Sequence, residues 1–67
     1  MRIGKRIRAE RLRLQWTQVR LAVEIGVGSD SVSKYERDEM TPSVPTLQAL
    51  ARVFGKSMDE LCSESAA

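Results

Sequence analysis

Apolar residues in this chain recur at intervals of three, four and seven, and they do not alternate with polar ones over a strand's length. Ile3, Ile7 and Leu14 fall on one helical face, as do Leu21, Ala22 and Ile25, and again Leu47, Leu50, Ala51 and Phe54. A period near 3.6 gathers such residues into one stripe of an α-helix, whereas a half-buried strand would need a period of two. Gly26, Gly28, Pro42, Pro45 and Gly55 break the pattern into pieces. The spacing predicts an all-α fold with helices near 2–14, 18–25, 29–37, 45–54 and 58–62.

With 67 residues the chain makes one domain, 1–67, without linker or repeat. A chain this short buries only about 60% of its unfolded surface, so few apolar residues can be spared from the core. The expected core is Ile3, Ile7, Leu14, Trp16, Leu21, Ala22, Ile25, Val27, Val32, Leu47, Leu50, Ala51, Phe54 and Leu61. Composition excludes several function classes. There is no histidine, the commonest general base and metal ligand, and a single cysteine, Cys62, makes neither an intrachain disulfide nor a zinc cluster. No paired catalytic groups are visible, so an enzyme, a cofactor, a metal and a small-molecule ligand are not expected. No apolar run approaches the roughly 18 residues of a membrane span, and there is no signal-peptide pattern. A cytoplasmic protein is expected. The end at Ser65-Ala66-Ala67 reads as a stopping point or as the start of a linker.

Charge is distributed unevenly. The first 20 residues hold seven cations and one acid, and the remainder holds four cations and eight acids. A basic lobe beside an acidic one suits a polyanion bound on one side, or a solvated amphipathic helix.

The stretch from Thr17 to Arg37 has the most specific organisation. Thr17 is placed to cap a helix over 18–25, and Gly26 follows it as a left-handed terminator. Segment 29–37 is short and polar, with only Val32 and Tyr35 able to face a core. Such a helix does not stand alone in water, so it must be held from one side. Two short helices joined by a glycine-bearing turn form a helix-turn-helix, with Val27 turned inward and Ser29, Asp30, Ser33 and Lys34 left outward to meet base edges. Further on, Pro45 suits a helix's first turn, and Ser57 with Glu60 has capping-box spacing.

The run from Thr17-Gln18 through Leu21-Ala22, Gly26-Val27, Val32-Ser33, Glu36-Arg37, Pro42 and Leu47 to Ser57-Met58-Asp59-Glu60-Leu61 resembles the phage Cro/repressor helix-turn-helix family, also called the xenobiotic-response-element type. Ile3-Gly4, Arg6-Ile7-Arg8 and Arg11 fit it too. The resemblance implies a compact five-helix, lambda-repressor-like domain that binds double-stranded DNA at two-fold symmetric operators as a homodimer and regulates transcription, most simply as a repressor. It implies base reading by Ser29, Asp30, Ser33 and Lys34, phosphate contacts by Thr17, Gln18, Ser31 and Arg37, and a structural pair between Arg11 and Glu36. Met58 and Leu61 are the expected dimer contacts.

Several positions depart from the family pattern. Gly28 stands where Ser or Thr usually caps the recognition helix, and Gln15 replaces a common glycine. Asp38 and Glu39 lie in a loop that is often basic, near the expected path of phosphate. Val19 and Val23, four apart and so on one face, occupy positions that are usually polar. They keep open a second class of function, an antitoxin or other protein-interaction module in which DNA binding is secondary.

Overall fold

Five helices account for most of the described residues: α1 (Gly4–Arg13), α2 (Gln18–Ile25), α3 (Ser29–Glu36), α4 (Val44–Phe54) and α5 (Met58–Cys62). The computed structural model describes residues 2–62, so the expectations for Ser65, Ala66 and Ala67 lie outside the described residues. No strand occurs among the described residues.

The helix starts follow from local chemistry. The Thr17 hydroxyl accepts from the Arg20 N–H at the start of α2, and the Ser43 hydroxyl accepts from the Thr46 N–H at the start of α4. Each satisfies a donor that has no partner within the helix. Because Ser43 is the cap, α4 begins at Val44, one residue before the sequence-based boundary, and Pro45 still lies in the first turn. At α5 the capping box closes in both directions, from the Glu60 N–H to the Ser57 hydroxyl and from the Ser57 N–H to the Glu60 carboxylate.

The first four helices terminate alike. A residue in the left-handed region follows each: Gln15 (φ 60°), Gly26 (φ 76°), Asp38 (φ 58°) and Gly55 (φ 67°). The next N–H then reaches back five residues, from Trp16 to Arg11, Val27 to Ala22, Glu39 to Lys34 and Lys56 to Ala51. This Schellman geometry satisfies carbonyls that the helix leaves open.

The core holds Ile3, Ile7, Leu21, Ala22, Val32, Tyr35, Leu47, Leu50, Ala51, Phe54 and Leu61. Leu14, Trp16, Ile25 and Val27, expected inside, pack against this core half-buried. Tyr35 is fully part of it, and with Val32 it anchors the polar α3. Burying these two side chains supplies the tertiary support that a helix of eight residues lacks by itself.

Candidate nucleic-acid interface

Three residues, Gly26, Val27 and Gly28, join α2 to α3, and half-buried Val27 packs against the core between them. With its Val32 and Tyr35 side buried, α3 turns Ser29, Asp30 and Lys34 fully outward, while Ser31 and Ser33 are partly covered. Gly28 is the N-cap and provides no side-chain bond. Asp30 leans into the space a side chain there would fill: a Cβ on Gly28 would lie 2.6 Å from Asp30 Oδ1. A carboxylate at the positive end of a helix is electrostatically favourable, so Asp30 partly does the work of the missing cap.

The far end of α3 is braced. Arg11 Nε donates to Glu36 Oε2 at 2.6 Å and Arg11 Nη2 to Glu36 Oε1 at 3.1 Å, while Arg11 Nη1 donates to the Trp16 carbonyl at 2.8 Å. The two side chains are only 10% and 5% exposed. Gln18 Nε2 donates to the same Glu36 carboxylate at 3.2 Å. One carboxylate therefore ties together the end of α1, the start of α2 and the end of α3. The amide of Gln18 keeps a second N–H for an outside acceptor.

A second brace was not expected from the sequence. Asp38 Oδ1 accepts from the Gly4 N–H at 3.0 Å, which caps α1 from 34 residues away. The approach is close enough that a Cβ on Gly4 would lie 2.5 Å from the Glu36 carbonyl oxygen and 2.7 Å from that of Tyr35. The available signal was a glycine at a helix start combined with an aspartate just past a helix end. The loop's acidity thus has internal outlets: Asp38 is held on Gly4, and Glu39 pairs with Arg37 at 2.8 Å. The Arg37–Glu39 pair is solvent-exposed and weak, which leaves Arg37 exchangeable toward another anion.

The remaining expected site residues are placed as follows. The Thr17 hydroxyl oxygen is engaged as a cap but retains its hydrogen as a donor. Met58 is half-buried. Leu61, expected at a dimer contact, is 1% exposed and sealed within its own protomer's core, so it has no side-chain surface for a second copy. Of that pair only Met58 has area to offer. Val19 and Val23 are 60% and 71% exposed. Trp16 packs against the core, with the Arg20 guanidinium 4.8 Å from its ring centroid.

Residues 7–61 match the family model described as helix-turn-helix. The chain belongs to the helix-turn-helix family. Within it the relatives are of the phage Cro/repressor type. The helix-turn-helix chain is 34% identical over 61 residues to the transcriptional regulator ImmR of Bacillus subtilis, covering 91% of this chain and 48% of that protein. It is 37% identical over 62 residues to the cryptic phage CTXphi transcriptional repressor RstR of Vibrio cholerae, covering 92% and 55%. The chain spans about half the length of these curated relatives. Among solved structures it is similar to the P22 c2 repressor in complex with a synthetic operator, with a TM-score of 0.85, 36% identity and coverage of 91% and 92%. It is also similar to the DNA-binding domain of SinR from Bacillus subtilis, with a TM-score of 0.86, 29% identity and coverage of 97% and 96%. No helix among the described residues is long and apolar enough to cross a membrane.

Proposed function

We propose that this chain is a sequence-specific double-stranded DNA-binding domain that regulates transcription, as a repressor, in the cytoplasm of a bacterial or phage-infected cell. The observation that carries this reading is α3 itself: buried on one side through Val32 and Tyr35, outward on the other through Ser29, Asp30 and Lys34, and braced at its end by the Arg11–Glu36–Gln18 network. A rigid, polar, protruding helix at the start of which the backbone is open suits insertion into the major groove. Likeness to a repressor solved on its operator supports the same reading.

Ser29, Asp30, Ser33 and Lys34 are assigned to base edges. Lys34, which has no ion-pair partner among the described residues, donates to guanine, and Asp30 either accepts from a cytosine amino group or remains the stabiliser of its own helix. Thr17, Gln18, Ser31 and Arg37 are assigned to phosphates, which set register without reading sequence. One recognition helix reads too few base pairs to find a site in a genome. Two copies one helical turn apart, about 34 Å, remove that shortfall, so a homodimer on a two-fold symmetric operator is part of the proposal.

Selection of bound sequences from a random duplex pool tests it. A two-fold symmetric consensus is expected, and sedimentation should find two protomers on the selected site. Failure to enrich any sequence would overturn the reading.

A further inference from the structure

We infer that Lys5 and Arg8 form a phosphate-binding shoulder on α1, beside the C-terminal turn of α3, which widens the DNA footprint beyond the helix-turn-helix. The inference rests on the proposed DNA binding and adds a surface to it.

Most arginines near the candidate interface are already committed. Arg11 binds Glu36 and the Trp16 carbonyl, Arg13 binds Glu10 and the Phe54 carbonyl, and Arg6 binds the Glu60 carbonyl. Arg20 pairs with Glu24 and Arg37 with Glu39. Lys5 and Arg8 are exposed and have no such partner among the described residues.

Their position on α1 follows from helical phase. Arg8 lies four residues after Gly4, which abuts the last carbonyls of α3, and three before Arg11, which holds Glu36. Residues three and four apart are neighbours on a helix surface, so Arg8 stands on the flank of α1 that borders the end of α3. Lys5, three residues earlier, continues that flank outward.

Local stability does not account for these two cations. The neighbours of Arg8 within α1 are Gly4, Lys5, Arg11 and Leu12, and those of Lys5 are Arg8 and Ala9. None is an acid, and two pairs are like-charged, which opposes the helix slightly. Lys5 also sits in the first turn of α1, where the helix dipole disfavours a cation; that turn holds no acid of its own, and Asp38, which reaches it from beyond α3, is engaged on the Gly4 N–H. An anion outside the chain would reverse both penalties. A regular row of such anions along the rim of the groove that α3 would enter is the DNA backbone.

The test is the salt dependence of binding to mixed-sequence linear duplex, compared between the unaltered chain and Lys5→Gln/Arg8→Gln. Each phosphate contact contributes about 0.9 to the slope of log K against log salt. The double variant is expected to bind with a slope shallower by roughly 1 to 2, while its preference among single-base operator variants is unchanged. Arg8→Lys should restore the slope at its position, because charge rather than shape is used. Arg52→Gln, an exposed cation on α4, is the control and should leave the slope unaltered. An unchanged slope in the double variant, or an equal loss in Arg52→Gln, would overturn the shoulder while leaving the helix-turn-helix reading intact. Absence of salt-dependent duplex binding by the unaltered chain would instead remove both. Circular dichroism of each variant establishes that α1 is still formed.

Discussion

Gln15 and Asp38 hold the same left-handed backbone that Gly26 and Gly55 hold after other helices, but for opposite reasons. Gln15 is exposed and makes no side-chain bond among the described residues, so its conformation costs about 1 kcal/mol that its side chain does not offset. Asp38 uses the conformation to aim its carboxylate at the Gly4 N–H. The two substitutions to glycine should therefore differ in sign. Gln15→Gly is expected to raise stability by a few tenths to about 1 kcal/mol, after the extra chain entropy of glycine is set against the relief. Asp38→Gly loses a charge-assisted bond worth about 1.5–3 kcal/mol and should destabilise despite the same relief. Urea titration of both variants checks this. Glu60 makes a further single-residue prediction. The Ser57 N–H above all, and then the Ser57 hydroxyl, hold its carboxyl below the ordinary 4.5. A lowered value in the folded state means the contribution is present above the ordinary value and fades as pH falls through the lowered one. Stability–pH curves of the unaltered chain and Glu60→Gln should be separated at neutral pH and converge in acid. Curves that diverge on acidification would show the sign to be wrong.

At the scale of elements, the recognition helix is positioned by polar contacts as much as by its two buried side chains. Breaking a buried ion pair by removing one partner costs about 3–5 kcal/mol, whereas replacing both by apolar groups of similar volume is often neutral. Arg11→Met alone is thus expected to lose much of the domain's stability, and Arg11→Met/Glu36→Leu to regain most of it. The double variant should still bind DNA more weakly at every sequence, because Gln18 no longer has Glu36 to orient it. Recovered affinity in the double variant would show the network to be structural only. This is also where legibility in the sequence ran out. Element identity was readable from apolar spacing and caps, because Thr17, Gly26, Ser57 and Gly55 act on their own neighbours. Leu14, Trp16, Ile25 and Val27 were placed too deep, since spacing reports a face and not how far a neighbour covers it. The Gly4–Asp38 contact was signalled only by a glycine at one helix start and an aspartate past another helix end: their pairing depends on how two helices meet across 34 residues, which spacing does not encode. For the same reason spacing did not show that the chain's own core encloses Leu61, the residue expected at a dimer contact.

For the whole molecule, the proposed roles divide into residues that read bases and residues that hold phosphates. Lys34→Ala should relax preference at one base position of each half-site by about 1–3 kcal/mol, while Gln18→Ala should weaken all sequences nearly alike. Titrating both variants against a panel of single-base operator changes separates the roles, and an even loss for Lys34→Ala would make it a phosphate clamp. The polar contacts of α1 have a different consequence, for synthesis. Its side chains and backbone bind Glu36, Asp38, Phe54 and Glu60, which lie 25, 34, 41 and 54 positions further along the chain. The first of these five helices to leave the ribosome is therefore the last of them to be fastened. Until α4 and α5 emerge, Arg13 lacks the Phe54 carbonyl and Arg6 the Glu60 carbonyl, and the nascent segment is an exposed basic stretch.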